Sequence, residues 1–240
     1  MIDLHTHILP GVDDGPASVE EALLLTEALK NQNIHTAVCT PHFNPATTAL
    51  QDFCVRRKEA LKQMSASRII LLSGSETLLH PYLFHYPDLS SLCIENTRYL
   101  LIEIPYEKKW NKEIYAYLEK LIQYYNVFPI IAHIERYQAF KHSTKCIKKL
   151  IKIGCLLQLN TKSLLNKKYS RRAFQYIKRG YIDVLSSDCH NLNTRPPVII
   201  KAYDRVAQKL GMEYIERFNH NAEFIVNGIE IREETGYIIQ

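Results

Sequence analysis

His5 and His7 stand two residues apart in the opening stretch MIDLHTHILPGVDDGP, and Asp13 and Asp14 follow in the next loop. In an extended strand alternate side chains share a face, so the two imidazoles converge while Thr6 points away. The same alternation in SSDCHN sends Asp188 and His190 to one face and Cys189 to the other. In LLIEIP, Glu103 stands between two isoleucines that face the opposite way, His42 ends AVCTPH, Glu76 ends IILLSGSE and His133 ends PIIAH. Imidazole nitrogens and carboxylate oxygens without a thiolate cluster suit Mn2+, Fe, Mg2+ or Zn2+ better than copper(I) or iron–sulfur chemistry. Counting one of the adjacent Asp13 and Asp14, nine such donors exceed the roughly four to six that one first-row ion takes, so two or three ions sharing carboxylates fit better. A centre of that kind activates water and clamps the attacking and leaving oxygens in line at phosphorus.

Taken singly, these residues carry little. Histidines such as His35, His80, His85, His142 and His220 read as surface or satisfied core residues. The joint pattern carries more, because the donors fall at strand ends or just after them. Apolar runs ending in polar residues alternate with helical patterns, which is the signature of βαβ units. About seven such units satisfy the periodicity test. The predicted strands are residues 2–7, 36–42, 68–76, 99–105, 128–133, 155–161 and 183–190, and six of the seven carry His, Asp or Glu at their end or within two residues of it. The first predicted helix starts near Ser18, where Ser18 and Glu21 form a capping-box pattern, and it breaks at residues 31–33. Others span 47–65, 111–125, 143–153, 169–179 and 197–210, while residues 77–97 read as an excursion over one face. In a parallel barrel the strand C-termini meet at one rim, where such folds carry their active sites. Imidazoles and carboxylates gathered there would repel one another and desolvate badly without cations to neutralise them.

The chain has 240 residues, 46% of them hydrophobic, enough for one large core, and residues 1–240 are expected to form one domain. Neither a membrane span nor a signal segment is legible, so the protein is expected to start at Met1 and remain cytoplasmic. Six cysteines without CxxC pairs read as reduced thiols with no structural disulfide. The net charge of +5 hides an asymmetry: residues 141–180 hold twelve Lys or Arg and no Asp or Glu, and the remaining 200 hold 18 bases against 25 acids. Such a run is ordinarily a solvated helix face, and it also suits an acidic or phosphorylated partner. The fifteen tyrosines read as amphipathic packing residues.

Taken in order, MIDLHTHILPGVDDGP, CTPHFNP, GSE, LLIEIP, IIAHIER and SSDCHNLNTRPP resemble the PHP (polymerase and histidinol phosphatase) superfamily across nearly the whole chain. More closely they resemble its bacterial protein-tyrosine phosphatases of capsule and exopolysaccharide operons. The resemblance implies a distorted (β/α)7 TIM-like barrel holding a three-metal cluster, commonly manganese-dependent. It implies His5, His7, Asp14, His42, Glu76, Glu103, His133, Asp188 and His190 as metal ligands, and Arg136 and Arg195 as the phosphate-binding pair. The implied substrate is the tyrosine-phosphorylated tail of a bacterial tyrosine autokinase that controls polysaccharide export. The chain departs from the family pattern at Ile134, at Tyr137 and in ETLLHPYL after Glu76, positions that bear on substrate positioning.

Cys189 and Arg195 also match the spacing of a C-x5-R phosphatase loop, but no glycine separates them to turn successive N–H groups toward phosphate. The nearest rival activity is hydrolysis of histidinol phosphate or another small phosphomonoester. Nucleic-acid processing is disfavoured, since no basic motif interleaved with aromatics and no helix-turn-helix signature is present. A non-catalytic module that keeps its metals and docks a phosphorylated partner is the third alternative.

Overall fold

The computed structural model describes residues 1–106, 110–140 and 144–231. His142 and the expected helix start at Ser143 lie outside them. Strands and helices alternate as β1 (Ile2–Thr6), α1 (Val19–Lys30), β2 (Thr36–Cys39), β3 (His42–Phe43), α2 (Leu50–Gln63), β4 (Ile70–Ser73) and β5 (Glu76–Leu78). After two short 3-10 turns come β6 (Tyr99–Glu103), α3 (Lys112–Gln123), β7 (Phe128–Ile131), α4 (Lys145–Ile153), β8 (Leu156–Asn160), α5 (Thr161–Leu165), α6 (Ser170–Lys178), β9 (Val184–Ser186), α7 (Ile199–Leu210) and α8 (Met212–Val226). Every strand pair is parallel, in the ladders β1-β2-β4 and β3-β5-β6-β7-β8-β9. The sheet curls until β1 meets the segment after β9. There the Asp188 N–H donates to the His5 carbonyl and the His7 N–H to the Cys189 carbonyl, both at 2.9 Å.

Two predicted strands, 36–42 and 68–76, are each divided. Pro41 offers no N–H to a ladder, and the Glu76 N–H turns to the Thr40 and Pro41 carbonyls at 3.2 and 3.1 Å. Gly74 lies at the second break, where a Cβ would come within 2.8 Å of Val38 Cγ1. A side chain there would push β4 off β2.

β1 carries one residue more than β2 between Asp3 and Thr6. Such a bulge re-aims side chains at a sheet end. Ile2 and Leu4 pack with Val38, Tyr99, Leu101, Ile130, Leu156 and Val184 in one buried cluster. Above that apolar floor the same faces of the strands turn polar, with Gln158 and Asn160 following Leu156, and Glu103 following Leu101. The helices bury their apolar stripes against the other face of the strands, through Leu25 and Leu29 of α1, Leu118 and Leu121 of α3 and Ile147 and Leu150 of α4.

At α1, Ser18 Oγ accepts from the Glu21 N–H at 3.2 Å, while Glu21 Oε2 accepts from Ala17, one residue before the cap. α5 and α8 lie outside the predicted helices. α8 has an amphipathic spacing in Ile215, Phe218, Ala222 and Ile225, but only Gly211, at φ 116°, separates it from α7, and no side chain caps its start. Residues 77–97 are anchored rather than draped, since Leu83, Leu89, Leu92 and Ile94 are buried, and Arg57 of α2 donates to the Ser91 carbonyl at 2.7 Å. None of the six cysteines is joined in a disulfide among the described residues. Among the described residues no helix is long and apolar enough to cross a membrane.

Candidate metal centre

The C-terminal ends of the strands converge, and the structure brings all nine candidate donors into one cluster. Glu76, fully buried at the start of β5, stands at its middle. Its Oε2 lies 3.2 Å from His5 Nε2, 3.1 Å from His7 Nε2 and 3.1 Å from His42 Nδ1, and its Oε1 lies 2.7 Å from His133 Nε2. Glu103 Oε1 is 3.5 Å from His133 Nε2. Asp188 Oδ1 is 3.6 Å from a ring nitrogen of each of His5, His7 and His190. Asp14 Oδ1 completes the outer edge, 3.4 Å from His42 Nε2 and 3.1 Å from His190 Nε2. Asp14 is 59% exposed, so the cluster opens to solvent on that side. Among the described residues three overlapping groups have ligand atoms within 4.8 Å of one another: His7, Asp14, His42 and His190; His5, His7 and Glu76; and His42, Glu76 and Glu103.

The donor set fits cations. His5 Nε2 faces His7 Nε2 at 3.1 Å, a repulsive arrangement of lone pairs unless a proton or a metal lies between them. Buried His190 Nε2 makes no hydrogen bond, although Asp14 Oδ1 lies 3.1 Å away. Burial, and then the charge of His7, lowers the His190 pKa to about 3, leaving a neutral imidazole with an unshared pair. Burial and the Glu76 charge push Glu103 upward. Burial also opposes ionisation of Glu76, but the surrounding His5, His133 and His42 rings hold its pKa well below the usual carboxylate range. Multivalent cations would relieve both the carboxylate repulsion and the unpaired nitrogens.

Around these donors lies a set of orienting groups, several of which the spacing of donors does not reveal. Asp13 Oδ2 accepts from His7 Nδ1 at 2.6 Å, which leaves Nε2 to face the centre, the arrangement typical of metal-ligating histidines. β8, the one predicted strand without a His, Asp or Glu end, contributes amides instead. Gln158 Oε1 lies 3.3 Å from His5 Nδ1 and accepts from the His133 backbone N–H at 2.6 Å. Its Nε2 donates to Asn160 Oδ1, and Asn160 Nδ2 donates to Asp188 Oδ2 at 2.7 Å. Gln158 and Asn160 alternate in QLN, so a shared polar face was legible there. Tyr106 Oη lies 3.0 Å from His133 Nδ1, with the rings stacked at 24°. His133 and Asp188 both hold left-handed backbone, at φ 34° and 53°, a conformation that costs a non-glycine residue about 1–3 kcal/mol.

Replacing Asp13 with asparagine is expected to weaken Mn2+ binding by roughly 10- to 100-fold, because the amide can no longer fix the His7 tautomer. Competition with a chelating dye reads this directly, and an unchanged affinity would remove Asp13 from the account.

Both candidate phosphate-binding arginines converge on Asp188. Arg136 Nη2 donates to Oδ2 at 2.6 Å and Arg195 Nη2 to Oδ1 at 2.8 Å. Arg195 Nη1 also reaches Asp14 Oδ2 at 3.3 Å. Two guanidinium forks are thus held at the edge of the cluster by a carboxylate that itself faces three imidazoles. Ile134 is fully buried, and Tyr137 packs against Trp110 and Phe140 while its Oη accepts from the Ile104 N–H at 2.9 Å. Neither departure from the family pattern lines the cavity beside the arginines.

The loop from Cys189 to Arg195 is no phosphate cradle. Asn191 Oδ1 accepts from the backbone N–H groups of Asn193, Thr194 and Arg195 at 3.0, 2.7 and 3.1 Å. Cys189 is fully buried, and burial pushes its thiol well above the usual range.

The family model for capsular polysaccharide synthesis, CpsB/CapC, matches residues 1–227. The chain is 30% identical to tyrosine-protein phosphatase CpsB of Streptococcus agalactiae over 242 residues, covering 94% of this chain and 98% of the relative. It is 31% identical to CpsB of Streptococcus pneumoniae, over 88% of this chain and 91% of the relative, and 28% identical to YwqE of Bacillus subtilis, over 94% and 91%. The fold is similar to that in the crystal structures of YwqE from Bacillus subtilis and CpsB from Streptococcus pneumoniae, described as unique metal-dependent tyrosine phosphatases. The TM-score is 0.85 at 24% identity over 95% of each chain.

Proposed function

The chain belongs to the CpsB/CapC family of capsular polysaccharide synthesis, and from that premise we propose that it is a metal-dependent protein-tyrosine phosphatase acting in capsule or exopolysaccharide production. One observation carries this reading: nine nitrogen and oxygen donors meet at the strand ends beside two arginines that share Asp188. Its relatives named tyrosine-protein phosphatase span nearly the same length. We read residues 1–240 as one domain, with β2 and β3, and β4 and β5, each counted as one interrupted strand of a distorted (β/α)7 barrel.

The residues that would hold the metals are His5, His7, Asp14, His42, Glu76, Glu103, His133, Asp188 and His190. A set of three ions, manganese first among the candidates, suits their number. When bound, such ions supply a water of lowered pKa and positive charge for the transferring phosphoryl group. The remaining work falls to the chain. Asp13 and Gln158 keep the ring nitrogens of His7 and His5 turned inward. Asp188 holds the Arg136 and Arg195 forks in place before substrate arrives, so their remaining N–H groups meet the non-bridging oxygens without reorganisation. A tyrosyl group, with a pKa of about 10, leaves with less acid assistance than an alkyl alcohol, which favours phosphotyrosine over phosphoserine. The substrate is the phosphotyrosine-bearing tail of a tyrosine autokinase at the cytoplasmic side of the polysaccharide export machinery.

Turnover of a phosphotyrosyl peptide, a phosphoseryl peptide and histidinol phosphate, each with Mn2+, tests the assignment. Phosphotyrosine is expected to be hydrolysed preferentially. A preference for histidinol phosphate would move the protein to the small-molecule branch of this chemistry. Cys189→Ala is expected to keep phosphotyrosine turnover within about threefold of the parent, since a buried, protonated thiol is no nucleophile. Complete loss of turnover in a folded Cys189→Ala protein would reinstate cysteine chemistry.

A further inference from the structure

Beside Arg136 and Arg195 opens a cavity of about 270 Å³ that runs away from the metal centre toward α5 and α6. Asn160, Ser163, Ser187 and Asp188 form its buried floor, while exposed Lys162 and half-buried Tyr169 stand at its mouth. Asp188 is the one carboxylate in this lining, and both its oxygens are engaged, Oδ2 by Arg136 and Asn160 and Oδ1 by Arg195. Lys162 Nζ donates to the Thr194 carbonyl at 2.5 Å, which sets the ammonium one residue from Arg195. Among the described residues Lys162 forms no ion pair. Lys168 lies over the Tyr169 ring at 5.0 Å, so positive charge continues outward from the mouth.

We propose that this cavity is a specificity pocket: the phosphotyrosyl ring enters it with its phosphate on Arg136 and Arg195, and Lys162 at the mouth binds a carboxylate of a residue flanking the phosphotyrosine. The proposal rests on the phosphatase reading above and adds the class of substrate sequence, an acidic one. The geometry favours it for three reasons. The floor is polar but already hydrogen-bonded, so it orients a ring without demanding further partners. The cation at the mouth is committed only to a backbone carbonyl, which leaves donors of its ammonium free for a carboxylate. The surrounding basic face raises the local concentration of an acidic peptide.

The test measures binding separately from chemistry. Two peptides carry a phosphonodifluoromethyl analogue of phosphotyrosine that cannot be hydrolysed, one flanked on both sides by Glu and one by Ala. Their dissociation constants are measured by fluorescence anisotropy on the Mn2+-loaded protein. The parent is expected to prefer the Glu-flanked peptide by roughly fivefold, the scale of one partly exposed ion pair. Lys162→Ala should bring the ratio to about one and Lys162→Glu should reverse it. An unchanged ratio in both variants, equal binding of the two peptides by the parent, or no binding of either overturns the pocket. An equal change on Lys148→Glu, on α4 outside the cavity lining, assigns the preference to the whole basic face and overturns it too. Failure of the phosphatase reading looks different, because it is read as absent hydrolysis of the matching phosphotyrosyl peptide.

Discussion

Glu76→Ala is expected to lower phosphotyrosine hydrolysis by at least ~1,000-fold, because the cluster loses the one carboxylate that reaches four histidines, and with it the charge that would hold the proposed water-activating metals. No other donor in the cluster has contacts of 2.7 to 3.2 Å to four imidazoles. Without it, His5, His7, His42 and His133 face one another with Asp188, Asp14 and Glu103 at the margins and Asp13 behind His7. The substitution should therefore weaken metal binding as well as turnover, and excess Mn2+ should restore little. Glu76→Gln separates charge from volume, since it fills the same space without the negative charge. The account expects both variants to be inactive, with near-parental far-UV circular dichroism for Glu76→Gln. A Glu76→Gln protein that retains substantial turnover would show that the centre does not run through this residue.

The second large effect is expected at the arginines. Arg136→Ala should lower kcat/KM for a phosphotyrosyl peptide by about 100- to 1,000-fold, the magnitude seen when one preorganised charge stabiliser is removed from a transition state. Mn2+ affinity should change far less, since among the donors Arg136 bonds directly only to Asp188 and otherwise reaches them through Tyr106. Arg136→Lys should recover little, because an ammonium cannot hold Asp188 and also present a planar fork to phosphate. Measuring kcat/KM and metal affinity on the same preparations distinguishes this role from a structural one. Equal losses in both quantities would mean that Arg136 serves to support Asp188 rather than to meet substrate.

Much of the centre was legible in the sequence because strands impose a period of two and parallel strands bring their ends to one rim. Strand alternation needs only residue type and position, and it brings His5 with His7 and Asp188 with His190. It does not reach the bulge in β1, which depends on how β1 pairs with a strand more than thirty residues away. Nor does it separate Asp13 from Asp14: the two are adjacent, and only the folded loop turns one to His7 Nδ1 and the other to His42 and His190. The amides of β8 escaped for a different reason. Gln158 and Asn160 are uncharged amides with no imidazole or carboxylate to mark them as donors, although their alternation marks a polar face. α8 escaped because its apolar spacing follows α7 across a single glycine with no capping side chain. The basic character of residues 141–180 was plain in composition. That Lys162 stands at the mouth of a cavity beside Arg195 is a tertiary fact.

The most direct test of the central claim is phosphate release from a phosphotyrosyl peptide by protein stripped with EDTA, before and after Mn2+ is returned, with Glu76→Ala treated alongside. The account predicts no release from the stripped protein, recovery on adding Mn2+, and none from the variant under either condition. Undiminished hydrolysis by the stripped protein, with its residual metal measured and negligible, would contradict the account.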